Sequence, residues 1–191
     1  YSRGLNPTVS ILSQKLAAMD GAEDCLVFNS GASAIAASVL ANVKSGDHIV
    51  SVDKPYTWAQ KLFNNILPKF NVSTTYVDGR ETDNFKNAIQ PNTSVIYVES
   101  PNSWSFYLQD LEAIAKHVTF LNLSGRQTSI ITICDNSYCS PLYQRPIELR
   151  IDLSLQSATK YINGHSDVVA SVLSGSKKMI KKIFNSELMT L

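Results

Sequence analysis

The chain has 191 residues, of which 44% are hydrophobic and 17% charged, and its 17 basic and 16 acidic side chains leave a formal charge of +1. A chain of this length can bury a core without disulfides or structural metals, so one domain is expected. The near-neutral balance, with no basic block, argues against nucleic acid and anionic membranes as partners.

The apolar runs and the cysteines narrow the class of protein further. The longest runs, 130–134 and 168–173, have the length of strands, whereas a membrane helix needs roughly 20 apolar residues. Cys25, Cys134 and Cys139 match neither an even disulfide framework nor a Cys-x-x-Cys metal site, and no metal is expected. We therefore expect a cytoplasmic protein with reduced thiols.

Helical and extended patterns alternate along most of the chain. Helices are predicted from just after Asn6-Pro7-Thr8 to Gly21, over 32–43, over 56–67 before Pro68, from Asp110 to about 123, and over 177–191. Strands are predicted over 25–28, 48–52, 73–77, 94–98, 130–134 and 152–156. This alternation is typical of a three-layer α/β/α fold with a mostly parallel sheet.

Four of the predicted strands end in unusually polar segments. These segments are 29–33, 99–101, 135–138 and 157–161. Ligands of open α/β sheets bind at the carboxyl ends of the strands, because loops and helix N-termini converge there. We therefore expect the four segments to form one polar pocket.

Lys160 and Asp135 are the residues of this pocket with the most specific chemistry. Lys160 follows an apolar strand, and desolvation there would lower the pKa of its amine and favour an imine with an aldehyde. Asp135 ends a buried strand, and its carboxylate would pair with the protonated nitrogen of a bound heteroaromatic ring. A surface-loop lysine and a turn-capping aspartate are the alternatives.

Two other features would suit a phosphorylated planar ligand. The step from strand to helix at Ser30-Gly31-Ala32 offers free backbone N–H groups and a helix dipole to a phosphate, and Ser157 and Thr159 could donate to the same anion. The alternative is a simple helix cap. Tyr56 could stack on a planar ring, or it could pack within the first turn of its own helix.

Several segments in one order along the chain carry a resemblance to a known family. They are Tyr1-Ser2-Arg3, Asn6-Pro7-Thr8, Ser30-Gly31, 46–50, Glu99-Ser100-Pro101, Asp135-Asn136, 157–161 and 164–167. The chain resembles the Cys/Met-metabolism family of pyridoxal-phosphate (PLP) enzymes, which includes cystathionine lyases and synthases. The resemblance runs from Tyr1 to about Gly175, and Ser-Ala-Thr-Lys-Tyr followed by Gly-His-Ser-Asp is its most specific part.

The resemblance implies a role for each matching residue. Lys160 would form the Schiff base with PLP and act as the general base, Asp135 would pair with the ring nitrogen, and Tyr56 would stack on the ring beside Lys160 in the catalytic centre. The remaining cofactor contacts would come from Ser30, Gly31, Ala32, Ser157 and Thr159 at the phosphate, from Ser103 at the ring oxygen, and from Tyr1 and Arg3 at the phosphate of a neighbouring subunit.

The resemblance also implies an activity and an assembly. The expected reaction is β- or γ-elimination or replacement at a small sulfur-containing amino acid, catalysed by a C–S lyase or transferase in a homodimer or homotetramer with a shared active site. The fold would be the large domain of fold-type-I PLP enzymes. Because family members are roughly twice this length, we expect residues 1–191 to be a fragment that lacks an N-terminal segment and the C-terminal small domain.

Three positions depart from the family pattern. Ser103-Trp104 replaces the usual Asn-Pro, while Asn102 comes one place early, so either Ser103 or a displaced Asn102 would have to replace the missing contact to the ring oxygen. Ala32 stands where methionine is common, and Trp58 where small residues or cysteine are common. Both changes predict a pocket shaped unlike that of a typical methionine-cleaving lyase.

Other functions stay open at this point. A PLP-dependent aminotransferase has the same broad fold, and a truncated chain could be a non-catalytic scaffold. An α/β hydrolase is a third candidate, because residues 31–35 approach the nucleophile-elbow pattern, although the closing glycine is missing. His48, His117 and His165 would be its candidate bases.

Overall fold

The structure, a computed structural model, describes residues 6–188. Within them seven strands form one sheet: β1 (Asp24–Phe28), β2 (His48–Val52), β3 (Ser73–Val77), β4 (Thr93–Glu99), β5 (Ile131–Asp135), β6 (Leu153–Gln156) and β7 (Ser171–Gly175). Their order is β1-β7-β6-β5-β4-β2-β3, and β7 alone among them runs antiparallel. The other six strands therefore end at the same edge of the sheet.

Helices cover both faces of this sheet. They are α1 (Pro7–Asp20), α2 (Gly31–Leu40), α3 (Thr57–Lys61), α4 (Thr82–Ala88), α5 (Leu111–Leu123), α6 (Ser140–Tyr143) and α7 (Lys177–Ile183). The apolar side chains of α2, α3 and α7 pack in one cluster on one face, while those of α4 and α5 pack on the other face, which α1 also covers. The prediction of a three-layer α/β/α fold with a mostly parallel sheet is confirmed.

The helix starts follow from capping chemistry that is visible in the sequence. Asn6 accepts a hydrogen bond from the Val9 amide at 3.0 Å, and α1 ends at Gly21, whose φ of 68° is left-handed and suits glycine. Asp110 caps α5 through the Ala113 amide at 2.9 Å. The predicted helix end at Gly21 and helix start at Asp110 are therefore confirmed, whereas α1 begins at Pro7, two residues before its predicted start.

Some elements differ from the prediction. The segment predicted as one helix over 56–67 is α3 followed by a π-turn (Leu62–Ile66) and a 3₁₀ turn (Leu67–Phe70) that runs past Pro68. Proline is tolerated there because the first positions of a helical turn need no amide donor. The short α4 and α6 were not predicted, and α7 continues as a π-turn (Phe184–Leu188).

Two global features of the described residues bear on the class of protein. None of their helices has the length and apolar character needed to cross a bilayer. All three cysteines are unpaired, and Cys25 and Cys134 are buried.

Candidate active site

A buried carboxylate lies at the carboxyl edge of the sheet, where β5 ends. Asp135 is only 7% exposed, and its Oδ1 accepts hydrogen bonds from the amide of Ser137 at 3.0 Å and from its hydroxyl at 2.6 Å. Burial, and then the negative charge of Glu99, raise the pKa of Asp135 to about 7. A cation placed against this carboxylate would relieve both effects.

Glu99 supplies a second carboxylate beside the first. It ends β4 at the position paired with Asp135, and it is 3% exposed. Its two oxygens accept hydrogen bonds from the Tyr56 amide at 2.6 Å and from the Ser103 amide at 2.5 Å. Burial raises the pKa of this carboxyl as well. The floor of the site therefore favours a positively charged ligand.

The N-terminus of α2 offers donors to an anion. Ser30 caps the helix by accepting from the Ser33 amide at 3.2 Å, whereas the amides of Gly31 and Ala32 have no hydrogen-bond partner among residues 6–188. A Cβ added to Gly31 would lie 3.7 Å from the Cβ of Ser157, so the two residues face each other closely. Free amides, a helix dipole and a missing side chain suit a phosphate.

Ser137 connects the start of α2 and Ser157, which we call the anion seat, to the buried carboxylates Asp135 and Glu99, which we call the carboxylate floor. Its hydroxyl accepts the Ser157 amide at 2.8 Å while donating to Asp135. Ser137 belongs to the polar run after β5, and no role was predicted for it from the sequence. Its position two residues beyond Asp135, where a short hydroxyl can return to the carboxylate, was the available signal.

Thr159 lies next to the anion seat, yet its hydroxyl is already used. It donates to the carbonyl of Ala170 at 3.1 Å and accepts the Ala170 amide at 3.0 Å. These bonds fasten the turn after β6 to the residue that precedes β7. A phosphate contact from Thr159 stays a prediction.

Lys160 was expected to be desolvated, and the structure differs from that expectation. It lies in the turn that follows β6, where its amide donates to the Ser157 carbonyl at 3.1 Å, and the residue is exposed rather than desolvated. The reason is its distance along the chain from the strand, because Ser157 and the buried Ala158 intervene. The structure thus places Lys160 at the predicted edge of the sheet but outside the core.

Tyr56 stands at the start of α3 with its amide fixed by Glu99. Its side chain is not packed into the helix, since the residue is 39% exposed. Trp58 is 50% exposed, and the Lys61 ammonium lies 4.3 Å from the centre of its ring. The aromatic ring of Tyr56 is therefore available for stacking.

Asn102 and Ser103, the two candidates for the missing ring-oxygen contact, differ in how far their side chains are already hydrogen-bonded. Asn102 is 1% exposed, and both its amide nitrogen and its oxygen are engaged with backbone groups of neighbouring loops. The hydroxyl of Ser103 is buried and makes no hydrogen bond of regular geometry among the described residues, although, against the larger effect of burial, its interaction with Glu99 lowers the pKa of that carboxyl. Of the two side chains, that of Ser103 is therefore the less engaged.

Two further predictions concern residues away from this floor. Tyr1 and Arg3 lie outside the described residues. The hydrolase hypothesis loses one of its three candidate bases, because His48 lies at the opposite edge of the sheet, at the start of β2, where Thr93 and Thr75 hold its ring at 2.8 Å and 2.9 Å. The hydroxyl of its candidate nucleophile, Ser33, donates to Asn29 at 2.8 Å.

The residues at this edge fit PLP. The free amides at the start of α2 suit its phosphate, Asp135 suits a protonated pyridine nitrogen, and Tyr56 can cover the ring. Lys160 lies in the turn after β6 at the same edge, and its side chain carries the amine that the aldehyde of PLP requires. The donor set thus matches each charged part of the cofactor.

Comparisons with known proteins identify a family for the chain. The family model described as Cys/Met metabolism PLP-dependent enzyme matches residues 1–189. An L-methionine gamma-lyase of Treponema denticola is 37% identical over 183 residues, which are 96% of this chain and 44% of the relative. Cystathionine gamma-lyase of Homo sapiens is 36% identical over 174 residues, which are 91% of this chain and 41% of the relative.

A solved structure shows the same fold. The crystal structure of metB from Corynebacterium glutamicum matches with a TM-score of 0.91 and 33% identity, over 99% of this chain and 48% of that one. The chain therefore spans less than half the length of these relatives. The likeness confirms the predicted large-domain fold of fold-type-I PLP enzymes. By the family model and by its relatives, the chain belongs to the Cys/Met-metabolism family of PLP-dependent enzymes.

Proposed function

We propose that this chain is the cofactor-binding part of a PLP-dependent C–S lyase or transferase that acts on a cysteine- or homocysteine-type amino acid. One observation carries the proposal. The buried carboxylate of Asp135 and the free amides at the start of α2 are joined through Ser137 and Ser157 at one edge of the sheet. A cation site and an anion site so linked suit one phosphorylated pyridinium ring.

Lys160 would have two roles in the reaction. Its amine would hold the cofactor at rest, and after the substrate's amino group takes its place the freed Nζ would accept the proton from the substrate α-carbon. When bound, the cofactor supplies an electron sink for the pair left at that carbon. Loss from the β carbon would break the C–S bond directly, and loss from the γ carbon would first need a second proton transfer from the β carbon. In both cases the departing sulfur would take up a proton that Lys160 holds and leave as a thiol.

The other site residues would orient the cofactor and exclude water from it. Asp135 would keep the ring nitrogen protonated, and Tyr56 would cover one face of the ring and keep water from it. Ser30, Gly31, Ala32, Ser157 and Thr159 would fix the phosphate end, and the buried hydroxyl of Ser103 would face the ring oxygen. The exposed Trp58 would narrow the entrance, as expected from its size.

The wider properties belong to the same proposal. Residues 1–191 would form one cofactor-binding domain whose substrate is a small sulfur-containing amino acid. Tyr1 and Arg3 would reach the phosphate of a neighbouring subunit in a homodimer or homotetramer. A cytoplasmic location is supported by the three unpaired cysteines.

Titration of the chain with PLP tests the proposal. The wild-type chain should develop the visible absorption band of a lysine-bound cofactor, and borohydride reduction should place the label on Lys160. Lys160→Ala should abolish the band, whereas Lys178→Ala, at an exposed lysine of α7, should retain it. A wild-type chain without the band, or a label on other lysines, would contradict the proposal.

Substrate addition separates the lyase from an aminotransferase. L-methionine, L-cysteine and cystathionine would each be added to the cofactor-loaded chain. A lyase releases a thiol and ammonia and recovers its visible band, whereas an aminotransferase releases a 2-oxo acid without a thiol and leaves the cofactor as its amine. The second pattern would replace the proposed reaction.

A further inference from the structure

Two loops meet above the carboxylate floor, and one buried carboxylate joins them. The first loop, 53–56, follows β2 and leads to Tyr56. The second, 100–105, follows β4. Glu99 accepts the Tyr56 amide with Oε2 at 2.6 Å and the Ser103 amide with Oε1 at 2.5 Å. Each oxygen of the same side chain thus fixes a different loop.

Asn102 also joins the two loops, but it donates hydrogen bonds to the first loop and accepts them from the second. Its Nδ2 donates to the carbonyls of Lys54 at 3.0 Å and Asp53 at 3.4 Å. Its Oδ1 accepts the amides of Trp104 and Ser105, each at 3.0 Å. Both polar ends of the Asn102 side chain are therefore engaged, the amide nitrogen with the first loop and the oxygen with the second.

The first loop needs such support, because its local conformation is unfavourable. Lys54 has a φ of 51°, in the left-handed region that a residue with a side chain seldom adopts, and Pro55 follows it. The Lys54 side chain is 72% exposed, so packing does not hold it. Asn102 donates to the carbonyls of Asp53 and Lys54, and Glu99 accepts the amide of Tyr56, so the two side chains hold the backbone around this strained position.

We propose that Glu99 and Asn102 act together as positioning residues that fix the Tyr56 ring over the cofactor site. The inference rests on the proposed function and deepens it, because it assigns Asn102 to the support of Tyr56 rather than to the cofactor. Glu99 and Asn102 are 3% and 1% exposed, so neither side chain is free to move into the site without leaving its partners unpaired. We call the pair the loop clasp.

Asn102→Ala is the sharper variant, because it removes no charge from the neighbourhood of Asp135. If the clasp acts through Tyr56, this variant should raise the dissociation constant for PLP roughly tenfold, as the loss of a buried hydrogen bond predicts. In a Tyr56→Ala background the same change should alter the constant less than about twofold, since no ring is left to position. Equal losses in both backgrounds would overturn the proposal.

Ser105→Ala is the matched control. It removes only the bond from the Ser105 hydroxyl to Asn102 Oδ1, at 3.0 Å, within the second loop. The PLP dissociation constant should stay within about twofold of wild type, because the contacts to 53–56 are kept. A loss as large as that of Asn102→Ala would make the role one of loop folding alone and would also overturn the proposal.

Hydrogen exchange gives a readout without cofactor and covers a variant that folds poorly. In Asn102→Ala, and in Glu99→Ala as a second variant that removes both acceptor oxygens, the Tyr56 amide should exchange faster while amides of β1 keep their wild-type protection. Unchanged exchange at Tyr56 in both variants would overturn the clasp. A wild-type chain that never binds PLP would instead refute the proposed function, and the positioning role with it.

Discussion

Asp135 and Glu99 stand side by side at the ends of β5 and β4, at positions that pair in the parallel ladder. Both are buried, and the charge of Glu99 adds to burial in raising the pKa of Asp135 to about 7. Two neighbouring carboxylates in a dry site cannot both ionise at low cost. A bound cation changes this balance, so cofactor binding and the protonation of Asp135 are linked.

The first prediction concerns the pH dependence of that link. Pyridoxine 5′-phosphate, which has no aldehyde, reports ring and phosphate binding without Lys160. Wild type should bind it more tightly than Asp135→Asn above pH 7, where Asp135 is ionised. As the pH falls below 7 the carboxyl takes up a proton, and the advantage should shrink by up to about tenfold per unit. Titrations of both chains from pH 5 to pH 9 measure it.

The ratio of the two affinities is the quantity that decides this prediction. Titration of the ligand's phosphate affects both chains alike and cancels from the ratio, whereas protonation of its ring nitrogen strengthens binding only to the Asp135 carboxylate. A ratio that stays constant across this range would show that Asp135 does not pair with the ring cation. A ratio that grows toward acid pH would have the wrong sign.

The sequence predicted the layers and the edge of the sheet because those depend on local patterns. Strand lengths, helix caps and the polar residues that follow each strand are all local features, so Asp135 and Gly31 could be placed at one edge without coordinates. The likeness to a family then supplied their chemical roles. The layers and the positions of Asp135 and Gly31 agree with the structure, and the chemical roles stay predictions.

Contacts between loops could not be predicted in the same way. That Glu99 accepts the Tyr56 amide, and that Asn102 is fully engaged, depends on how loops far apart in the chain meet. The exposure of Lys160 depends on how the turn after β6 is packed. Such distances are set by tertiary structure, and no period or spacing in one sequence encodes them.

Gly31→Ala should separate cofactor binding from stability. The added Cβ would sit at ordinary contact distance, 3.7 Å from the Cβ of Ser157, and alanine favours a helix over glycine by up to about 1 kcal/mol. The melting temperature should therefore stay the same or rise. PLP affinity should fall about tenfold if the methyl displaces a phosphate.

Pyridoxal serves as the control ligand for Gly31→Ala, because it has the ring and the aldehyde but no phosphate. Its affinity should be unchanged by the substitution. Equal losses of affinity for pyridoxal and for PLP would mean that the methyl group disturbs the ring site rather than the anion seat. Equilibrium titration of both ligands distinguishes the two results.

Asp20 provides a pH-dependent stability test away from the proposed chemistry. This carboxylate is fully buried at the end of α1, and Gln156 Nε2 donates to both of its oxygens at 3.1 Å. Burial raises its pKa from 3.8 to about 6, so the folded chain binds this proton more tightly than the unfolded chain. The group therefore lowers stability as the pH rises from about 4 to 6.

Asp20→Asn should remove that dependence. Relative to wild type, the variant should gain about 2 kcal/mol of unfolding free energy between pH 4 and pH 7, less than the full equivalent of the pKa shift because the unfolded carboxyl is already about half ionised at pH 4. Urea unfolding at both pH values measures the change, and other titrating groups contribute equally to the two chains. Parallel pH dependences would show that Asp20 is not the titrating group.

Gly79→Ala should destabilise the loop that supports Glu99. An added Cβ would lie 2.7 Å from Cγ of Gln109 and 2.8 Å from Cγ2 of Val52, closer than real contacts allow. Gln109 in turn accepts the Glu99 amide at 3.1 Å, so the clash reaches the end of β4. Overpacking of this kind costs about 1–3 kcal/mol of unfolding free energy. Gly31→Ala is the steric control in the same urea titration, and equal stability of the two variants would show that Gln109 yields without cost.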